Sequence, residues 1–248
     1  MKPHSPSTIL IGVDCACDPK NVGLARAEAT PDERPHVTDV LRGSDVPSIA
    51  ETLAAWIATA QHGLIALDAP LGWPGPLGAA LHQHQAGEVL SAEPDQLFRR
   101  KTDREIKRRF NKTPLDVGAD RIARTAHTAL ALLQEVRRIT GRPIPLAWQP
   151  GKVEGICAIE VYPAGTLLAH KMPATGYKKS AQRGVREEIL CALASRLRLP
   201  RQKKLLLDDA DCLDAVVCLL AAADYLEGNA VPPSDIECAY QEGWIWLP

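Results

Sequence analysis

Three separated stretches of the chain place an acidic residue at the end of an apolar run, where a bound cation would find ligands. Asp14 directly follows residues 7–13, Asp68 follows residues 64–67, and Glu160 lies inside the end of a third run. In open α/β sheets the ends of the strands line the functional crevice. Carboxylates that converge there repel one another unless they are protonated or bridged by a cation. The pattern therefore favours a hard divalent ion that prefers oxygen ligands, Mg²⁺ or Mn²⁺.

More carboxylates lie in an apolar helix that is predicted near the end of the chain, at residues 208–226. Asp211 and Asp214 are three residues apart, so they share one helical face. Acidic side chains in a first helical turn also stabilise the positive end of a helix, which suffices to explain Asp208 and Asp209. Asp214 instead has apolar neighbours, where an isolated charge would be costly. We expect Asp214 to face the same crevice as the strand-end acids.

The elements that must position these acids indicate one mixed sheet. Three short apolar runs joined by short links predict an antiparallel meander of strands at residues 7–13, 22–26 and 35–41. An amphipathic helix at residues 47–60 then leads to a buried strand at 64–67, and a crossover of this length normally makes a parallel pair. In that topology Asp14 and Asp68 are neighbours. Each also fits as an ordinary turn-initiating or loop-initiating residue, and that alternative stays open.

The rest of the chain is predicted to complete a single α/β domain over residues 1–248. Residues 69–98 are predicted to be loop and short helix, and the remaining elements are helices at 120–140 and 185–197 and a strand at 156–162. A basic helical segment at about residues 75–150 would be inserted into this domain. The sequence contains no internal repeat, low-complexity tract or clear linker that would divide it.

The inserted segment contains a dense group of cations at residues 98–112. On a helix, Arg100, Arg104 and Arg108 would fall on one face and offer a track for phosphate groups. A solvated surface helix accounts for such a run of cations as well. The segment therefore suggests a substrate-side electrostatic element without excluding a purely structural one.

Composition excludes several classes of protein. Hydrophobic residues make up 46% of the chain and charged residues 24%, which are globular proportions. No apolar run approaches the roughly 18 residues of a membrane span, and the first residues lack the features of a secretory signal. A net charge of −1 and an aromatic content of 4% count against general attraction to nucleic acid and against a platform for stacked bases. We expect a cytoplasmic protein without a membrane partner.

The seven cysteines do not indicate a disulfide framework or a zinc ribbon, because their number is odd and no two have the CxxC spacing. Cys15 and Cys17 would bind a soft metal or, more simply, pack on the same side of a strand. The sequence assigns no redox role to either thiol.

Five short motifs are spread over most of the chain. They are IGVD, IALDAPLGWP, RKTDR, EVYP and DADCLDA, at residues 11–14, 65–74, 100–104, 160–163 and 209–215. Together they resemble the family called domain of unknown function 429. The resemblance implies a ribonuclease H-like fold, with three antiparallel strands followed by parallel strands, and a nuclease activity. The chain lacks the Asp-x-Gly-x-Thr phosphate loop of the actin-like sugar kinases, which share that fold.

The same resemblance implies roles for particular residues. Ribonuclease H-like enzymes carry their acids on the first strand, the fourth strand and a late helix. By position, catalytic and metal-binding roles then go to four acids: Asp14, Asp68, Asp211 and Asp214. The spacing in the late helix is similar to that in Holliday-junction resolvases, and Glu160, in the EVYP motif, is added as a candidate metal ligand. The RKTDR motif and Arg108, on the same predicted helical face, complete the candidate substrate-binding set: Arg100, Thr102, Asp103, Arg104 and Arg108.

These inferences favour a nuclease that uses Mg²⁺ or Mn²⁺ bound by carboxylates. Two such ions about 3.5–4 Å apart would activate a water and stabilise the leaving oxygen during in-line hydrolysis of a phosphodiester bond. Two alternatives stay open. One is a phosphohydrolase or phosphotransferase that acts on a nucleotide and grips its phosphate with the basic segment. The other is a non-catalytic binding protein on the same fold. The sequence does not indicate an oligomeric state.

Overall fold

The apolar runs of the sequence form the strands of one mixed sheet. A computed structural model describes residues 7–90, 92–118, 120–179 and 181–248. Residues 1–6, 91, 119 and 180, which belong to the predicted domain, lie outside the described residues. The strands are β1 (Thr8–Asp14), β2 (Gly23–Ala29), β3 (His36–Arg42), β4 (His62–Asp68) and β5 (Ile156–Glu160). Their spatial order is β3-β2-β1-β4-β5.

Strand β1 lies between an antiparallel and a parallel neighbour. It pairs antiparallel with β2, which pairs antiparallel with β3, and it pairs parallel with β4, which pairs parallel with β5. The predicted meander and its parallel addition are confirmed, and three antiparallel strands followed by parallel ones is the arrangement that the resemblance implied. The register places Asp14 directly opposite Asp68. The direction of growth of the sheet reverses between β1 and β4, which is where open sheets form their sites.

Helices lie on both faces of the sheet. In chain order the α-helices are α1 (Ile49–Ile57), α2 (Gly75–Leu81), α3 (Pro94–Phe98), α4 (Lys101–Phe110), α5 (Asp120–Thr140), α6 (Pro163–Ala169), α7 (Arg183–Leu193), α8 (Lys204–Asp208), α9 (Ala210–Leu226) and α10 (Ile236–Glu242). Helices α1 and α5 pack on Ile9, Ile11 and Val13 of β1. Helices α6, α7 and α9 cover the other face, which includes Leu10. Successive side chains of a strand point to opposite faces, so β1 is apolar on both.

The segment between β4 and β5 contributes both to the core and to its surroundings. Its longest helix, α5, buries Ala129, Leu133 and Val136 beside α1. Helix α4 packs instead on Ile245 and Leu247 near the end of the chain, through Ile106. The part of the segment that carries most of the cations therefore packs on the C-terminal residues and not on a face of the sheet.

The late acidic helix begins two residues later than the sequence predicted. Helix α8 ends at Asp208, and Asp209 has an extended backbone that separates it from α9. The Asp209 carboxylate accepts hydrogen bonds from the backbone N–H groups of Asp211 and Cys212, at 3.0 and 3.1 Å. Asp209 is thus an N-cap residue, a position that favours aspartate and interrupts a continuous helix.

Helix α9 lies unusually close to the sheet because two strand residues are glycines. A Cβ atom on Gly12 would lie 2.0 Å from the carbonyl oxygen of Ala215, and one on Gly23 would lie 2.0 Å from that of Asp211. Any side chain at either position would push the helix away from β1 and β2. This close approach carries the acids of α9 to the end of β1.

Helix α9 is also buried along most of its length, as a helix that is apolar all round must be. In the part of the chain that the structure describes, no helix combines the length and apolar character needed to span a membrane.

The end of the chain runs beside β5 and covers its outer edge. Ile245 forms a parallel bridge with Glu160, and the Trp246 N–H donates to the Glu160 carbonyl at 3.1 Å. Trp246 is buried against Tyr225, with ring centroids 4.8 Å apart. An edge strand that is covered in this way has no free backbone groups at this point to pair with another chain.

Candidate metal centre

Three carboxylates from distant parts of the chain meet at the ends of β1 and β4. Asp14 and Asp68 are the last residues of these strands, and Asp214 lies in the second turn of α9. One ligand oxygen from each lies within 4.8 Å of the other two. Asp14 and Asp214 are buried and Asp68 is partly buried. Within the described residues this is the one such group of three or more His, Cys, Asp or Glu side chains.

We call this group the acidic cluster. Because its carboxyl groups are buried and close together, three negative charges on them are unfavourable. Burial raises the pKa of Asp14 well above the usual range of an aspartate, and Asp214 and Asp68 raise it further. Burial also raises the pKa of Asp68 to about 7, against the opposing effect of Lys178. Near neutral pH the cluster therefore keeps a proton unless a cation replaces it.

Two residues that the sequence analysis did not single out hold Asp214. The Lys178 ammonium lies 2.5 Å from Asp214 Oδ2, and the Tyr177 hydroxyl donates to Oδ1 at 2.8 Å. Burial lowers the pKa of Lys178, but the three cluster carboxylates raise it more, so the ammonium stays charged. Burial and Asp214 likewise raise the pKa of Tyr177 and keep its hydroxyl protonated. Both residues lie in a polar connection without periodicity, so no sequence signal links them to α9.

Asp211 lies beside the acidic cluster without being part of it. It is one turn before Asp214 on α9 and is partly buried. Its charge contributes to raising the pKa of Asp14, and burial raises the pKa of Asp211 itself. The predicted shared face of Asp211 and Asp214 thus brings both near β1, but only Asp214 supplies an oxygen to the cluster.

Glu160 lies at the end of β5, where a buried arginine occupies both of its oxygens. Arg100 Nη1 and Nη2 donate to Oε2 and Oε1 at 2.9 and 2.7 Å, and the Leu71 N–H donates to Oε2 at 2.9 Å. Both side chains are almost fully buried, at 1% and 3% exposure. A two-pronged pair of this kind leaves little capacity for a metal. This differs from the sequence prediction, and we leave Glu160 out of the metal-ligand set.

The start of the basic segment also lies in the interior, where Arg100 borders a cavity beside the acidic cluster. Arg100 donates to Asp103 through Nε at 3.1 Å and through Nη2 at 3.0 Å. Thr102 Oγ1 accepts from the Ile245 N–H at 3.0 Å. All three motif residues are buried, so they join α4 to β5 and to the chain end. The prediction that they contact substrate differs from this placement, because helical spacing does not reveal what covers a helix.

The other two arginines of the predicted track, Arg104 and Arg108, form hydrogen bonds within the protein. Arg104 Nη1 donates to the Arg99 carbonyl at 2.7 Å, and Arg108 donates to Glu105 through Nε at 2.9 Å and Nη2 at 2.6 Å. Arg108 is also largely exposed. Helix α4 therefore does not present a continuous row of unpaired guanidinium groups from Arg100 to Arg108.

Two cavities open beside the acidic cluster. The first, of about 270 Å³, we call the apolar cavity; it is lined by Asp14, Cys15, Asp68, Ala69, Pro70, Arg100, Pro114, Leu115, Ile122, Thr125, Glu160, Val161, Tyr162, Lys178 and Ile245. The second, of about 330 Å³, we call the basic cavity; it is lined by Asp68, Lys112, Tyr162, Pro163, Ala164, Ala174, Thr175, Gly176, Tyr177 and Lys178. Asp68, Tyr162 and Lys178 border both, so the two cavities meet at the cluster.

The chemistry of the donor set matches a hard divalent cation. Carboxylate oxygens are the ligands that Mg²⁺ and Mn²⁺ prefer in proteins. Cys15 lines the apolar cavity, but burial raises the pKa of its thiol, so it does not offer a thiolate to a soft metal. Cys17 is exposed and contacts Thr125 on α5. The residues present therefore fit Mg²⁺ or Mn²⁺ better than zinc or copper.

Comparison with known proteins matches residues 12–237 to the family described as "Protein of unknown function (DUF429)". The structure of RuvC from Thermus thermophilus is similar over 91% of this chain and 99% of that chain, with 12% sequence identity and a TM-score of 0.39. So distant a likeness says nothing about activity. No curated protein matches the chain.

Proposed function

We propose that this chain, which belongs to the DUF429 family, is a nuclease that hydrolyses phosphodiester bonds with a divalent cation held by Asp14, Asp68 and Asp214. The observation that carries the proposal is the acidic cluster itself, whose three ligand oxygens lie within 4.8 Å of one another. Buried like charges at this distance are unfavourable unless a cation or a proton offsets them. We therefore infer that a divalent cation binds between the three acids where β1, β4 and α9 meet.

Each acid has a proposed part in the chemistry. Asp14, Asp68 and Asp214 would hold Mg²⁺ or Mn²⁺, which would lower the pKa of water and stabilise negative charge that develops on oxygen. Asp211, whose pKa burial raises, is proposed as the proton acceptor beside the cluster. Tyr177 and its hydrogen bond to Asp214 fix the orientation of that carboxylate. No nucleophilic side chain is needed, because water is the attacking group.

A nucleotide phosphohydrolase or phosphotransferase is the second candidate, and one observation favours it. The arginines predicted to attract a long polyanion are Arg100, just before α4, and Arg104 and Arg108 within it. All three form hydrogen bonds within the protein. The two cavities beside the cluster, at about 270 and 330 Å³, lie near the lower end of the size of small-molecule sites. Both candidates use the same acidic cluster, so they differ only in the group that carries the phosphate.

Metal binding is the first test, and calorimetry with Mg²⁺ and Mn²⁺ measures it. We expect binding that Asp14→Asn weakens at least tenfold, because one of three charged ligands is lost. Asp32→Asn is the matched control: Asp32 is an exposed aspartate in the β2–β3 turn, at the opposite end of the sheet from Asp14. Absence of binding at millimolar metal would favour the third reading, a non-catalytic binding protein.

Turnover is the second test. Branched, duplex and single-stranded substrates and free nucleotides are incubated with Mn²⁺ and either the parent chain or Asp14→Asn. We expect the substitution to abolish turnover while the melting temperature without metal stays the same or rises, because carboxylate repulsion is relieved. A large fall in melting temperature would instead make Asp14 a structural residue, and cleavage of nucleotides alone would favour the second candidate.

A further inference from the structure

The two cavities beside the acidic cluster share Lys178 but differ in the rest of their lining. Besides charged side chains at the cluster, the apolar cavity is lined by an apolar group formed by Pro114, Leu115 and Ile122. The basic cavity contains Lys112 and Lys178 and is otherwise lined largely by small residues and by proline. A ligand that spans both would have a flat or apolar part on one side of the cluster and an anionic part on the other.

The wall of the apolar cavity includes an exposed leucine without an evident structural purpose. The Leu115 side chain is 70% exposed, whereas Ile122 across the cavity is partly buried. Leu115 therefore offers an apolar side chain to a ligand at the rim of a cavity that ends at the acidic cluster. Tyr162 adds an aromatic ring between the two cavities.

The basic cavity offers two ammonium groups with different commitments. Lys112 is partly buried, and in the part of the chain that the structure describes no carboxylate lies within ion-pair distance of it. Lys178 pairs with Asp214, but its side chain is 56% exposed, so the ammonium borders the solvent-accessible basic cavity as well as the cluster. A divalent cation on Asp214 would compete for the oxygen that Lys178 now contacts. The Lys178 ammonium would then be available to a phosphate group in the basic cavity.

We propose that the substrate enters as one unstacked nucleotide, whose base packs in the apolar cavity while the adjoining phosphate is bound by Lys112 and Lys178 in the basic cavity. This inference rests on the proposed function, because it places the reacting phosphate at the acidic cluster between the two. A base inside a duplex reaches such a cavity only by leaving its stack. The nucleotide comes from single-stranded nucleic acid or from a free nucleotide with a second phosphate.

Binding, measured apart from turnover, tests the proposal. The probe is a short fluorescent single-stranded DNA, followed by anisotropy in millimolar Ca²⁺, which also binds carboxylate oxygens. We expect it to bind at least tenfold more tightly than its blunt duplex. A nucleoside diphosphate added as competitor distinguishes the sources: displacement at concentrations near those of the DNA points to free nucleotides, and weak displacement points to single strands. Equal affinity for duplex and single strand would overturn the proposal.

Two exposed or partly exposed positions locate the contacts without endangering the fold. Lys112→Ala should weaken binding about tenfold and lower the slope of affinity against salt by about 0.7, as loss of one phosphate contact does. Leu115→Ser should weaken binding about fivefold with the salt slope unchanged. Lys179→Ala and Val89→Ser are the matched controls, because Lys179 and Val89 are exposed and border neither cavity. Equal effects of Lys112→Ala and Lys179→Ala would contradict the phosphate subsite.

Failure of this inference can be told from failure of the proposed function. If the chain is not a nuclease, no nucleic acid substrate turns over in Mn²⁺, whatever the binding preference. If the chain is a nuclease but the inference is wrong, duplex DNA is cleaved as fast as single strands and Lys112→Ala turns over like the parent chain.

Discussion

Replacing Asp68 by asparagine should change how the stability of the metal-free protein depends on pH. Burial raises the pKa of Asp68 from the usual 3.8 to about 7 in the folded chain. An aspartate with a raised folded pKa binds its proton more tightly when folded, so the free energy of unfolding falls as pH rises from about 4 to about 7. At about 1.4 kcal/mol for each tenfold change in proton affinity, the loss amounts to about 4 kcal/mol. Above pH 7 the loss is complete.

Urea denaturation in the presence of a chelator, from pH 4 to pH 8, measures this loss. Many groups titrate in that range, so the useful quantity is the difference between Asp68→Asn and the parent chain at each pH. We expect this difference to grow by up to about 4 kcal/mol in favour of the variant as pH rises. Asp32→Asn, at an exposed position far from the cluster, should show no such trend.

Divalent cation should offset part of this loss, and more of it in the parent chain than in the variant. Mg²⁺ at one hundred times its dissociation constant adds about 2.7 kcal/mol to the free energy of unfolding, and the gain should be larger at pH 8 than at pH 5 because protons compete at the lower pH. If the difference between Asp68→Asn and the parent chain is the same at pH 4 and pH 8, the acidic cluster does not carry the repulsion described above, and the reasoning fails.

Three further changes test the supports of the site. Arg100→Met should lower the free energy of unfolding by about 3–5 kcal/mol in urea, because it leaves the buried Glu160 charge unpaired, and a loss below 1 kcal/mol would refute that role. Lys178→Ala should destabilise the metal-free protein at pH 8 yet tighten Mg²⁺ binding in calorimetry, since a competing cation is removed; weaker binding would contradict this. Gly12→Ala should lower the melting temperature and weaken metal binding together, because its Cβ would lie 2.0 Å from the Ala215 carbonyl oxygen, and an unchanged protein would rule out the close packing of α9.

The hydrogen bonds of Arg100 explain why the sequence predicts a substrate-binding residue at this position whereas the structure buries it. Arg100 precedes α4 as its N-cap residue, so it does not share the exposed face of Arg104 and Arg108. Residues near the end of the chain then cover Arg100, which donates to the Glu242 carbonyl at 3.2 Å, and Arg100 pairs with Glu160. Nothing within residues 98–112 encodes that covering segment, because it comes from the far end of the chain.

The sequence by itself determined the order of the strands and the meeting of Asp14 with Asp68. Apolar runs of strand length, short links and one helical crossover allow few topologies, and the register then follows from the alternation of side chains. The position of Asp214 among apolar neighbours was enough to direct it toward the same crevice. Local pattern suffices for these features because the apolar runs define the strands, and the short links between them restrict how the strands pair.

Only the tertiary structure decided which charged groups are spent inside the protein and which remain for a ligand. Arg100 and Glu160 neutralise each other in the interior, and Lys178 reaches Asp214 from a connection without regular structure. Periodicity tells which face of a helix is polar, but the partner of a charge is set by whichever distant segment folds against it. For that reason the meeting of Asp14, Asp68 and Asp214 could be predicted from the sequence, whereas the cations beside them, and the pairing that removes Glu160 from the cluster, could not.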